Sequence, residues 1–222
     1  MNATIHQAIR GSHHRKTRFH DEKGNLVDFT GLCYAPVALG GAILRRLFRY
    51  RPVKPTLSFR ATKVIERLLQ PDWNCAEFGS GMSTVWLGKR CGYLLSVEND
   101  QIWFDDTRNR LNQSGCGHVQ YELRTPEQFS DLSMIEGGFF DFALIDGWDR
   151  AGCVEAVLPK MKSGGWVYLD NSDKDMGKPD GDLRRAENLL LDHVRANNKH
   201  HEYFVDFSRT NFFVEQGLLA QA

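Results

Sequence analysis

The chain has 222 residues, 28 Lys/Arg against 28 Asp/Glu for a formal net charge of zero, and 41% hydrophobic residues. These values exclude a wholly disordered chain and give bulk electrostatics no general pull toward nucleic acid. The length suits one sizeable α/β core rather than several domains.

The neutral balance hides an asymmetry, because residues 1–60 carry 11 Lys/Arg against 3 Asp/Glu and the remainder carries 17 against 25. The basic head reads as a segment that folds against the acidic body or as a solvated tail. Cys33, Cys75, Cys91, Cys116 and Cys153 are odd in number and form no Cys-x-x-Cys pair, so neither a disulfide framework nor a zinc knuckle is expected. A reducing, cytoplasmic setting fits them. The start, with His6, His13, His14, Arg15, Lys16 and Arg18, lacks the pattern of a secretory signal.

In chain order, residues 1–30 show no sustained periodicity and read as a loosely packed arm. The apolar run 35–44 contains Pro36, Gly40 and Gly41 and is too short to span a bilayer. With Arg45, Arg46, Arg49 and Arg51 behind it, its preferred reading is a cap over the core, ahead of contact with a membrane surface. Pro52 and Pro55 mark a linker, so residues 1–55 form a basic arm and cap and residues 56–222 the main domain. Apolar residues at helical spacing predict a helix over 58–70, stopped by Pro71. Strands are expected at 73–78, 93–98, 118–123, 139–145 and 166–170, with helices near 83–90, 101–113, 152–162 and 182–196. The end, 201–208 and 211–216, reads as two strands joined tightly at Arg209-Thr210. The expected fold is a Rossmann-like, doubly wound α/β sheet of seven strands, mainly parallel with a C-terminal antiparallel hairpin and helices on both faces.

Ligands of such sheets sit beyond the carboxyl ends of the strands. The first strand ends in Glu77-Phe78-Gly79-Ser80-Gly81, where glycines let the backbone turn sharply and approach a ligand, and Ser83 is placed to cap the next helix. Glu98 follows Glu77 by 21 residues and stands at the end of the second strand before Asn99, where a carboxylate accepts hydrogen bonds from a ribose diol. The fourth strand ends in Ile145-Asp146-Gly147-Trp148 and the fifth in Leu169-Asp170-Asn171.

AEFGSG, LLSVEND, FDFALIDGWDR and MKSGGWVYLDNSD, in this order, resemble the class I S-adenosylmethionine-dependent methyltransferases over about residues 58–216. The resemblance implies that Glu77 lies near the methionine portion of S-adenosylmethionine, that Phe78, Gly79, Ser80, Gly81 and Ser83 run beside the cofactor, and that Glu98 with Asn99 holds the ribose. A dinucleotide dehydrogenase shares the turn and the acid, but its third glycine would fall at Thr84. The expected activity is therefore methyl transfer, with an NAD(P)-dependent oxidoreductase or a non-catalytic binding module built on the basic arm as alternatives.

Enzymes that methylate nucleobase amines carry an Asn/Asp-Pro-Pro-aromatic stretch where this chain has Asp146-Gly147-Trp148-Asp149, so base methylation and a nucleic-acid partner rank low. Asp146, Asp170 and Asn171 are similar to the Mg²⁺ ligands of catechol-type O-methyltransferases, and hard oxygen ligands suit Mg²⁺. The lysine base of that group has no counterpart after Asp146. The expectation is O-methylation of a small hydroxylated or glycan-like acceptor, with Asp146 as the catalytic residue and also a cofactor contact, Mg²⁺ as a secondary expectation, and 171–181 as a solvated lid.

Overall fold

A computed structural model describes residues 14–49 and 52–222. Readings that fall on residues 1–13, 50 and 51, including those of His6, His13 and Arg51, lie outside the described residues. The strands are β1 (Asn74–Phe78), β2 (Tyr93–Glu98), β3 (Val119–Leu123), β4 (Phe140–Ile145), β5 (Met161–Leu169), β6 (His201–Phe207) and β7 (Val214–Gln221). They form one sheet in the order β3-β2-β1-β4-β5-β7-β6. β7 is antiparallel to both of its neighbours, so β6 runs with β1 to β5 and β7 alone is reversed.

Both faces of the sheet are buried, as the apolar strands require. Ala76, Phe78, Leu95, Val97, Ala143 and Ile145 point to one side, where they meet α6 (Arg150–Val157) and α7 (Asp182–Ala196). Cys75, Leu94, Phe142, Leu144 and Tyr168 point to the other, where they meet α3 (Phe59–Leu68) and α4 (Met82–Gly88). α5 (Gln101–Gln113) completes the crossover from β2 to β3. Local chemistry fixes several starts. Ser58 Oγ accepts from Ala61 N–H at 3.1 Å and Asp100 Oδ1 accepts from Trp103 N–H at 2.8 Å, each satisfying a free helix donor. At α4 the hydroxyl involved belongs to Thr84, which accepts from Gly81 N–H at 2.9 Å, rather than to Ser83.

Three expectations need correction. The helix drawn over 152–162 ends at Val157 and becomes a 3₁₀ turn, Leu158–Lys160, and Met161 already pairs with Phe140 as the first residue of β5. The second strand of the terminal hairpin is Val214–Gln221, not 211–216, so a longer connection carries Arg209 to Phe213 toward the carboxyl ends of the sheet. Gly217 permits this register, since a Cβ there would stand 1.9 Å from Tyr168 Oη. Finally, residues 14–28 are packed rather than loose. Arg15, Asp21 and Val27 are buried; Arg15 Nε donates to Val214 O at 3.0 Å and pairs with Glu22 and Asp173. Asp173 is itself fully buried, so the start of 171–181 is core rather than solvated lid. The basic head meets the acidic body again where Lys23 pairs with Glu187 and Arg60 with Asp206.

Two further helices, α1 (Phe29–Leu32) and α2 (Ala35–Phe48), precede α3. α2 is seated on the β6–β7 connection at Gly41, where a Cβ would lie 1.9 Å from Arg209 O, and buries Ala38. As a cap it is partial: Val37, Ile43, Leu47 and Phe48 remain exposed.

Candidate cofactor cleft

A cleft of about 520 Å³ opens at the carboxyl ends of β1, β2 and β4. One wall is the turn Gly79 to Ser83, another Glu98 and Asn99 with Trp103, and a third Asp146-Gly147-Trp148. β1 and β4 are neighbours, and their ends meet glycine to glycine. Gly79 has φ +96°, and a Cβ on it would lie 2.6 Å from Gly147 Cα, so the turn is closed to side chains on both counts. Trp103 reaches the turn from α5 and donates its indole N–H to Ser80 O.

Glu98 is held by four donors. Its Oε2 accepts from Ser80 N–H at 3.0 Å and Ser80 Oγ at 2.8 Å, and its Oε1 accepts from the backbone N–H groups of Asn99 at 2.8 Å and Asp100 at 3.0 Å. Glu98 thus stands at the cleft wall held by the turn and by its own strand end, while Asp100 caps the helix that follows. Ser80 Oγ has a second partner in Tyr121 Oη at 2.6 Å.

Glu77 and Phe78 are fully buried and do not line the cleft. Glu77 stands behind the turn, where Ser96 Oγ donates to its Oε2 at 2.6 Å while, among the described residues, Oε1 has no hydrogen-bond partner. Burial pushes its pKa up to about 7, against the opposing effect of the Ser83, Ser96 and Thr84 hydroxyls. The other expected cofactor residues, Gly79, Ser80, Gly81, Ser83, Glu98, Asn99 and Asp146, come together around the one space.

The three expected metal ligands are each engaged with other protein groups. Among the described residues no group of three or more His, Cys, Asp and Glu is arranged to hold a metal ion. Asp146 Oδ1 accepts from Arg150 Nη2 at 2.9 Å, so a guanidinium already occupies the place of a cation there. Asp170 is buried, with Tyr168 Oη 3.5 Å from its Oδ1, and burial together with the charges of Asp146 and Glu215 pushes its pKa up. Asn171 donates its amide to Glu215 at 3.2 Å.

Sequence reasoning missed Arg45, Pro52, Thr56, Trp103, Thr210 and Asn211, which also line the cleft. They come from α2, the linker, α5 and the β6–β7 connection, and no local motif announces them. The linker prolines and the position of Trp103 one turn into the helix after Glu98 were the available signals.

No protein-family model matches the chain, and no curated protein sequence matches it. Solved structures do. The chain is similar to an O-methyltransferase from Bacillus cereus in complex with S-adenosylhomocysteine, at 15% identity and TM-score 0.63, over 87% of this chain and 96% of that one. It is also similar to a structure described as an O-methyltransferase of Klebsiella pneumoniae, at 17% identity and TM-score 0.62, over 87% and 99%. A third is the O-methyltransferase TomG from Streptomyces achromogenes in complex with S-adenosylmethionine, at 16% identity and TM-score 0.58, over 87% and 95%. At these identities the likeness is one of fold: the chain has the architecture of the class I S-adenosylmethionine-dependent methyltransferases. Among the described residues, no helix is long and apolar enough to cross a membrane.

Proposed function

We propose that the cleft binds S-adenosylmethionine and that the protein methylates an oxygen of a small hydroxylated or glycan-like acceptor. The observation that carries this reading is the convergence of the side-chain-free Gly79 turn, the Glu98 carboxylate and Asp146 on one cleft. Glu98 and Asn99 would take the ribose, a diol replacing the Ser80 hydroxyl at Glu98 while Ser80 keeps Tyr121 as partner. Trp103 and Trp148 supply aromatic walls. A dinucleotide is disfavoured because Thr84, where a pyrophosphate site asks for glycine, is buried and spends its hydroxyl on the turn itself.

When bound, S-adenosylmethionine supplies a methyl group on a sulfonium: the acceptor oxygen gains the O–CH₃ bond as the S–CH₃ bond breaks and S-adenosylhomocysteine leaves. The chain has to hold the acceptor in line and remove its hydroxyl proton. Asp146 takes that proton. It stands at the cleft wall with 29% of its side chain accessible, and Arg150 fixes its orientation. Asp170 is buried and does not line the cleft. The test is S-adenosylhomocysteine release over a panel of hydroxylated acceptors. Asp146→Asn should lower turnover by about 10²–10⁴-fold with little change in S-adenosylhomocysteine affinity, the range typical of a lost general base. Full turnover in that variant would remove Asp146 from the role.

A further inference from the structure

The cleft does not end at the cofactor turn. Arg45, Thr210 and Asn211 also form one wall of an adjoining groove of about 610 Å³ between α2 and the β6–β7 connection. Leu39 and Ile43 from α2 and Phe212 and Phe213 from the connection make its apolar sides. Among the described residues, three arginines line it, Arg18, Arg45 and Arg46, and no lining residue is acidic.

The contacts that Arg45 makes within the groove leave its charge in place. Arg45 Nη1 donates to Asn211 Oδ1 at 2.7 Å and Thr210 Oγ1 at 3.4 Å, both uncharged, and Arg18 Nη1 donates to Phe212 O at 2.7 Å. Arg45 and Arg46 fall in the last turn of α2, where cations suit the helix dipole. That accounts for arginine on the helix end. It does not account for the lack of an acid among the described residues of an apolar groove that shares Arg45, Thr210 and Asn211 with the cleft.

We propose that this groove is the acceptor subsite and that it selects acceptors with an apolar body and an anionic group, a carboxylate, sulfonate or phosphate, held at Arg45 and Arg46. Guanidinium groups suit such anions through paired N–H donors, and the apolar walls suit a ring or acyl chain. As an acceptor subsite the groove rests on the methyl-transfer reading; as an anion-selective groove it does not.

The test is fluorescence titration of the full chain with two probes that share one body, 8-anilinonaphthalene-1-sulfonate and the uncharged N-phenyl-1-naphthylamine. The sulfonate should bind at one site about tenfold more tightly than the uncharged probe, and Arg45→Gln/Arg46→Gln should erase that difference, about 1.4 kcal/mol, without weakening the uncharged probe. Arg46→Gln alone leaves the Arg45–Asn211 bond in place and should lose part of the selectivity with an unchanged melting temperature. Equal affinities for the two probes, or selectivity that survives in the double variant, would overturn the proposal. Dimerisation that depends on these arginines, with no probe selectivity, would overturn it in favour of a second copy of the chain. Calorimetry with S-adenosylhomocysteine separates the two readings. Selectivity without cofactor binding removes the acceptor role and the methyl-transfer reading together, whereas cofactor binding without selectivity removes this inference alone.

Discussion

At the scale of single residues, the cleft combines a turn with no side chains and two carboxylates of different character. Glu98 is held by four donors and lines the cleft; Glu77 is buried behind the turn with a pKa of about 7 and, among the described residues, one oxygen without a partner. A cationic ligand in front of the turn favours ionised Glu77, so its binding drives off a proton when Glu77 is protonated beforehand. S-adenosylhomocysteine, whose amino group is charged, should therefore bind more tightly as pH rises from 6 to 8, by up to about tenfold per unit below 7. In Glu77→Gln the affinity should be flat over that range, and a slope that persists in the variant would place the titrating group elsewhere. Glu98 and the Gly79 turn were legible in the sequence because strand, turn and acid are close along the chain. The burial of Glu77 was not, since it depends on Ser96 and on the packing of β2 against β1. Arg45, Thr210 and Asn211 were illegible for the same reason, as they reach the cleft from segments more than a hundred residues apart.

At the scale of elements, alternating apolar strands and capped helices made β1 to β4, α5 and α7 readable to within a few residues, whereas the end of α6 and the place of β7 were not. Asn211-Phe212-Phe213 has strand-like composition but belongs to the connection that walls the cleft and the groove. The run that forms β7, between β5 and β6, includes Gly217, which propensity alone counts against a strand. The Tyr168 hydroxyl explains it. Gly217→Ala should cost about 3 kcal/mol, because the ring of Tyr168 is fully buried and has nowhere to retreat. Adding Tyr168→Phe removes the nearest clashing atom and should recover part of the loss in chemical denaturation. Wild-type stability in Gly217→Ala would show that this register is wrong.

At the scale of the whole molecule, the basic head and acidic body are one packed unit over the described residues, tied by Arg15, Lys23 and Arg60 to Asp173, Glu187 and Asp206. The net charge of each half was readable; which cation meets which acid was not, because these partners are separated by most of the chain. Several acids are buried at an electrostatic cost. Burial raises Glu77 to about 7 and Asp206 to about 6, and pushes Asp170 and Glu215 upward as well. A carboxyl whose folded pKa exceeds its unfolded value holds more protons when folded, so stability falls as pH rises between the two values. His193, lowered from its ordinary value by burial, acts in the opposite sense within this range, while Asp28, Glu127 and Asp131 act in the opposite sense below it and are exposed. Melting temperature should accordingly be higher at pH 5.5 than at pH 8, with Glu77 alone worth about 3 kcal/mol across its window; a maximum at pH 8 would contradict these shifts. The central claim, that the cleft is a site for S-adenosylmethionine, is tested most directly by titration calorimetry of the full chain with S-adenosylhomocysteine and, separately, NAD and NADP. The account predicts one-site binding of S-adenosylhomocysteine, weakened at least about tenfold by Glu98→Ala, with no heat from either dinucleotide. Binding of a dinucleotide with none of S-adenosylhomocysteine, or no binding of any of the three, would contradict it.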